Sequence, residues 1–216
     1  MKDSYIHKGQ RKKLVALLAQ KGIEDQRALN AINNVPRHLF LDKAFEGHAY
    51  QNKAFQIGEG QTISHPYTVA FQTQTLDIKR GDKILEIGTG SGYQACVLDE
   101  CGARVFSIER FKSLHKKTSD FIKSLGYSRI KTFFGDGYQG LPTFAPFDKI
   151  IVTAAAPYIP EALTDQLKIN GILCIPLNNE DGSQTMLKIT RVSEREYERE
   201  AFEEFKFVPM LKGRNF

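Results

Sequence analysis

Three short stretches carry residues whose type and spacing could handle a small charged molecule. LEIGTGSGY (residues 85–93) places Gly88, Gly90 and Gly92 directly after an apolar run and ahead of a helical pattern. Glycine at a strand-to-helix turn removes Cβ atoms, so the backbone turns tightly and approaches a ligand closely. The spacing is GxGxG rather than the GxGxxG of dinucleotide pyrophosphate loops, which points to another nucleoside ligand. The start of the following helix favours a small carboxylate. Glu109 closes the next apolar run, roughly 20 residues beyond the loop, where a carboxylate can accept from both hydroxyls of a ribose. In GDG (135–137) Asp136 could accept from an adenine amino group while Gly137 lets the base approach; Asp-Gly is equally a common tight turn.

A fourth stretch, GEGQTISHPYTVA (58–70), holds two glycines, hydroxyls at Thr62, Ser64 and Thr68, a His65-Pro66 step, and no Lys, Arg or Cys. Ser64 can be read as the N-cap of a helix starting near Pro66, or as a hydroxyl aimed at a ligand. His65 can be a loop histidine or a base.

These residues need a frame that brings chain ends of neighbouring strands together. KILEIG (83–88), RVFSIE (104–109), RIKTFFGD (129–136), FDKIIVTAA (147–155) and GILCIPL (171–177) read as strands. Helical patterns separate them at GYQACVLDECG, 111–125 and PEALTDQL (160–167). Such alternation predicts βαβ units and a parallel sheet covered on both faces. The tail, TMLKITRVS (185–193) and Tyr197 to Phe207, alternates like an antiparallel pair. Upstream, residues 10–34 read as two short helices parted by Gly22, 43–65 as loop with short extended pieces, and 66–76 as a helix with Pro in its first turn.

With 216 residues, one domain is expected over 1–216, residues 1–79 being a helical and loop elaboration on a core at 80–216. Cys96, Cys101 and Cys174 lack CxxC spacing, which suggests neither a disulfide framework nor a zinc site and fits a reducing cytoplasm. No secretory leader or membrane span is read. The net charge of +5 gathers at Lys2 to Lys13 and Arg110 to Lys131, against an acidic Glu194 to Glu204. These clusters read as solvated helix faces rather than a nucleic-acid footprint. The chain also lacks an Asn/Asp-Pro-Pro-aromatic tetrapeptide and a Pro-Cys pair, both signatures of enzymes that act on nucleic-acid bases.

Together the motifs resemble the class I S-adenosylmethionine-dependent methyltransferases: an acidic residue, here Glu86, before the glycine loop, an acidic end to the second strand, and GD after the third. The resemblance implies a doubly wound α/β fold with a seven-stranded, mostly parallel sheet and a reversed C-terminal β-hairpin. VPRHLF (35–40), IGEGQTISHPYTVA (57–70), LEIGTGSGYQACVL (85–98) and DKIIVTAAAPYIPEALTDQLKINGILCIPL (148–177) narrow this. In that order and spacing they resemble protein-L-isoaspartate O-methyltransferases. The resemblance implies S-adenosylmethionine as methyl donor, no metal, and isoaspartyl proteins and peptides as substrates; a cytoplasmic monomer without nucleic acid or membrane is expected. It further implies that Gln61, Thr62 and Ile63 lie against the cofactor with Glu86, Gly88, Gly90, Gly92, Glu109, Asp136 and Gly137. Ser64 matches the residue usually marked as active, with His65 and Val208 beside the substrate. FVPML (207–211) resembles the strand bordering the bound peptide. One departure is PLNNEDGSQTM (176–186), polar and acidic where the family typically has a glycine-rich stretch leading to a Gln, matched here by Gln184.

The chemistry so implied asks little of acids and bases. A peptide α-carboxylate has a pKa near about 3.5 and is ionised at neutral pH, so no general base is needed. Positioning dominates, and aligned groups supply on the order of 7–11 kcal/mol. A Lys or Arg paired with the carboxylate would stabilise the ground state as well. The expectation is a site poor in basic side chains.

Overall fold

The computed structural model describes residues 3–216; Lys2, the first residue of the basic arm, lies outside the described residues. Helix α1 (Tyr5–Gln20) begins earlier than its apolar pattern suggests because Ser4 caps it: the Ser4 hydroxyl accepts from the His7 N–H, and the His7 ring accepts from the Ser4 N–H. That is a capping box with His in place of the usual Glu or Gln, and so is hard to read from sequence. Helix α2 (Gln26–Asn34) is capped by Asp25. Two 3-10 turns, Arg37–Phe40 and Lys43–His48, follow. Strands β1 (Phe55–Gly58) and β2 (Gln61–Ile63) form a separate antiparallel hairpin. Its turn at Glu59 and Gly60 has φ of 52° and 66°, the double left-handed pattern that matches strand twist. Helix α3 (Pro66–Thr75) then leads to the sheet.

Seven strands order as β5-β4-β3-β6-β7-β8-β9. They are β3 (Lys83–Ile87), β4 (Arg104–Glu109), β5 (Lys131–Phe134), β6 (Phe147–Val152), β7 (Leu167–Asn178), β8 (Gln184–Arg191) and β9 (Tyr197–Glu204). The first five run parallel, β8 is antiparallel to β7, and β9 to β8. Helices α4 (Tyr93–Glu100), α5 (Lys112–Ser124) and α6 (Glu161–Asp165) make the crossovers. The sheet is thus the doubly wound, seven-stranded, mostly parallel arrangement with a reversed C-terminal hairpin.

Alternation along the strands splits the core into two layers. Ile84 and Ile151 pack with Leu18, Ile32, Leu98 and Ile122 on one face. Leu85, Ile87, Ile150 and Val152 pack with Phe106, Phe147 and Leu173 on the other. Both faces being buried explains why the strands read as apolar runs rather than alternations. Strand β7 starts at Leu167, earlier than expected, and α6 is correspondingly one short helix. The chain leaves β3 for β4 and β5, then returns to β6 on β3's other side, so the carboxyl ends of β3, β4 and β6 border a switch point. Ligands of open α/β sheets bind there. Among the described residues no helix is long and apolar enough to cross a membrane.

Candidate active site

A cavity opens at that switch point, with about 820 Å³ of empty space including its mouth, within the range of small-molecule sites. Gln61, Thr62, Ile63 and Ser64 form one wall where β2 ends. Gly88 to Ser91 form the floor, with Tyr93 and Gln94 from the start of α4. Glu109, Gly137 and Thr153 arrive from the ends of three other sheet segments, and Val208 to Leu211 complete the lining. Nine predicted residues therefore share one lining: Gln61, Thr62, Ile63, Ser64, Gly88, Gly90, Glu109, Gly137 and Val208.

Gly88 has φ +97°, and a Cβ there would stand 2.5 Å from Thr153 Oγ1. Thr153 fixes the turn by donating to the carbonyls of Ile87 (3.0 Å) and Gly88 (2.8 Å). Gly92 lies outside the lining; its φ is +83° and a Cβ would meet Ile122 Cγ2 at 2.6 Å. Its glycine thus serves the packing of the loop against α5.

Glu109 is 4% exposed, and its two oxygens are oriented by backbone: Oε2 accepts from the Gly90 N–H (2.9 Å) and Oε1 from the Phe111 N–H (3.0 Å). Each carboxylate oxygen retains further acceptor capacity toward the cavity. Glu86 sits beneath the floor with no exposure and does not line the cavity. The Ser107 hydroxyl donates to its Oε2 and in turn meets the Thr89 hydroxyl at 2.6 Å. Burial raises the Glu86 carboxyl to about 8, against the lowering by Ser107, with the charge of Glu109 adding to the rise. Burial thus favours the neutral carboxyl, and Glu86 supports the loop through Ser107 and Thr89.

Asp136 does not line the cavity. Its Oδ1 accepts from the Tyr138 N–H (3.0 Å), as the tight-turn reading expects, and its Oδ2 from the Gly213 N–H (2.9 Å), which ties the tail to the sheet. FVPML (207–211) is no strand of the sheet: β9 ends at Glu204, and the tail crosses Ala155 as a single bridge. The Val208 carbonyl accepts from the Ala155 N–H (2.9 Å), and the Met210 N–H donates to the Ala155 carbonyl (2.8 Å). Gln184 anchors the tail's start, accepting from the Phe207 N–H at 2.6 Å.

The reading of Ser64 as a helix cap is not what the fold uses. His65 holds the N-cap position of α3 and makes no side-chain cap bond, which leaves Ser64 one residue ahead of the cap. The Ser64 carbonyl accepts from Arg37 (2.8 Å), while among the described residues its hydroxyl has no hydrogen-bond partner. His65 lies outside the lining. Burial, and then the charge of Arg37, hold its imidazole below the usual value.

The lining contains one basic side chain, Arg110, and its guanidinium is directed to the carbonyls of Gly213 (3.3 Å) and Lys212 (3.2 Å). Sequence reasoning missed Thr153, Tyr93 and Arg37. Only Arg37 left a signal, a charge embedded in the apolar VPRHLFL run. Away from the cavity, ligating atoms of Asp3, His7 and His38 lie within 4.8 Å of one another. Both Asp3 oxygens accept from Arg11 (3.0 Å each) and the imidazoles stack at 3.8 Å between centroids, a packed polar cluster rather than rings aimed at one ion.

Comparison with known proteins agrees with this geometry. Residues 9–215 match the family model described as Protein-L-isoaspartate(D-aspartate) O-methyltransferase (PCMT). A protein-L-isoaspartate O-methyltransferase of Christiangramia forsetii is 54% identical over 215 residues, covering 100% of both chains. A solved protein-L-isoaspartate O-methyltransferase superposes with a TM-score of 0.84 at 27% identity, over 92% of this chain and 65% of that one. A putative Plasmodium falciparum enzyme of the same name, in complex with S-adenosyl-L-homocysteine, gives 0.80 at 27% identity over 94% and 98%. With the family model matched over residues 9–215 and a relative 54% identical along its whole length, the chain belongs to the protein-L-isoaspartate(D-aspartate) O-methyltransferases.

Proposed function

We propose that the protein transfers a methyl group from S-adenosylmethionine to the free α-carboxylate of L-isoaspartyl residues in damaged proteins and peptides, the step that initiates their repair. The observation that carries this reading is the wall Gln61–Ser64: neutral, hydroxyl-bearing, and lining the same cavity as Val208. The remaining lining suits the donor. Glu109 offers a carboxylate to ribose hydroxyls, Gly88 and Gly90 admit a close backbone approach, and Gly137 brings backbone to the lining beside Asp136, the place of its missing Cβ being filled by Ile87. Glu86 contributes from beneath the loop and Gly92 from behind it. When bound, S-adenosylmethionine supplies an electrophilic sulfonium methyl, and the products are a methyl ester and a neutral thioether.

The chain's own residues then have three tasks. The Ser64 hydroxyl donates to one oxygen of the substrate carboxylate and turns the other toward the methyl. Thr62 and Ile63 hold the donor's reactive end on the far side of that wall. Val208 and the tail exclude water, which favours a reaction in which opposite charges are neutralised. No proton moves, so His65 is a substrate-side neighbour and not a base. Residues 1–79 act with 80–216 as one methyltransferase domain, because β1, β2 and α3 supply the wall that the sheet lacks. Buried free cysteines suit a reducing cytoplasm, and the single, internally engaged arginine in the lining favours a peptide carboxylate over nucleic acid. We further propose that the protein acts as a monomer without membrane attachment.

The test is methyl transfer from labelled S-adenosylmethionine to an isoaspartyl peptide beside its normal aspartyl twin. Label in the isoaspartyl peptide alone is expected; equal labelling of both, or of neither, contradicts the reading.

A further inference from the structure

Arg37 is a guanidinium with no exposure to solvent and, among the described residues, no carboxylate partner. Burying an unpaired charge is expensive, so a purely structural account would leave a neutral side chain the better choice. Nε and Nη2 donate to backbone carbonyls, while Nη1 is buried with no hydrogen-bond partner among the described residues. Nε donates to the Ala49 carbonyl (3.1 Å). One nitrogen, Nη2, donates both to the Lys53 carbonyl (3.1 Å), just ahead of β1, and to the Ser64 carbonyl (2.8 Å), just after β2. The guanidinium also lies over the ring of the cavity-lining Tyr93, 5.0 Å from its centroid.

We propose that Arg37 is a positioning residue for methyl transfer, pinning both legs of the β1–β2 hairpin so that the wall from Gln61 to Ser64 is held at a fixed distance from the glycine loop. The planar fork is what the task requires. Two N–H vectors from one nitrogen, rigidly spaced, span two chain segments, whereas an ammonium on a flexible stem defines neither direction. Because Arg37 meets Ser64 only through the backbone and sits behind Tyr93, its positive charge remains out of contact with the substrate carboxylate. The site thereby obtains rigidity from an arginine without placing a salt bridge on the reacting group, consistent with the expectation that such a bridge would stabilise the ground state. The inference rests on the proposed role of Ser64.

A double-mutant cycle tests it. Arg37→Lys and Arg37→Gln are each made in the natural chain and in Ser64→Ala, and assayed with an isoaspartyl peptide and labelled donor. With Ser64 present, each Arg37 variant is expected to lower kcat by at least about tenfold, with KM and the affinity for S-adenosylhomocysteine changed by less than about threefold. In the Ser64→Ala background the same substitutions are expected to change kcat by less than about threefold, since coupled residues are not additive. Arg37→Gln removes the buried charge and so guards against loss of folding in the lysine variant. Equal factors in both backgrounds, an unchanged kcat, or loss of folding in both variants would assign Arg37 to stability alone and overturn the proposal. Normal turnover by Ser64→Ala would instead remove the reading of Ser64 itself.

Discussion

Ser64→Ala is expected to lower kcat by about a hundredfold to a thousandfold, the range for removing one preorganised donor at a reacting oxygen, and to leave the fold almost untouched. Both halves follow from where the residue stands. The hydroxyl caps no helix, because His65 occupies the N-cap of α3, and it has no partner among the described residues. Its loss therefore orphans nothing, and a stability change within about 0.5 kcal/mol is expected, as for substitutions away from such features. The backbone bond from Arg37 to the Ser64 carbonyl survives the substitution, so the wall retains its path and affinity for S-adenosylhomocysteine is expected to be unchanged. Steady-state kinetics, a thermal melt and a calorimetric titration separate these effects. A folded variant with near-normal kcat would end the positioning role.

Glu109→Ala is expected to act on the other ligand. The carboxylate accepts from the backbone of Gly90 and of Phe111, and its remaining acceptor capacity faces the cavity. Hydrogen bonds to a charged group are worth about 1.5–3 kcal/mol each, so losing two to a ribose corresponds to a roughly hundredfold or greater rise in the dissociation constant for the donor. The substitution also leaves two backbone N–H groups without an acceptor, at a cost of about 1–3 kcal/mol for each that stays buried. A lower melting temperature should accompany the weaker binding, unlike Ser64→Ala. Glu109→Gln retains the volume and one acceptor oxygen and should fall between. Unchanged affinity for S-adenosylhomocysteine in either variant, measured by calorimetry, would overturn the assignment.

How much was legible in the sequence differs sharply between the two halves of the chain. The sheet was readable because both its faces are buried, so its strands appear as short apolar runs such as KILEI that end directly in glycines or acids. The same runs located Gly88, Gly90 and Glu109 at strand ends, and parallel topology then forces strand ends to one edge of the sheet. The N-terminal half was less readable because local signals there are unusual: His7 replaces the acidic member of a capping box, and 3-10 turns carry little periodicity. The hairpin β1–β2 showed only as extended pieces, its register set by a left-handed turn at Glu59 and Gly60 that sequence does not announce at a glutamate. Arg37 shows in the sequence only as a charge within an apolar run, since its partners Ala49, Lys53 and Ser64 lie 12, 16 and 27 residues away. Asp136 gave two readings, and the bonds it makes serve the turn and the tail, with Gly137 rather than its carboxylate in the lining.

In the proposed reaction a neutral wall positions a carboxylate already ionised, so that no group in the protein has to take up a proton. The direct measurement is kcat/KM for an isoaspartyl peptide as a function of pH between about 5.5 and 7, above the ordinary range of a peptide α-carboxylate and about one pH unit below the value of about 8 to which Glu86 is raised. A flat profile is predicted. His65, next to Ser64 in the chain and held below the usual imidazole value by burial and by Arg37, is the candidate for a base. A rise of tenfold per pH unit through the lower part of that window, abolished in His65→Gln, would contradict the claim and return the site to acid–base chemistry.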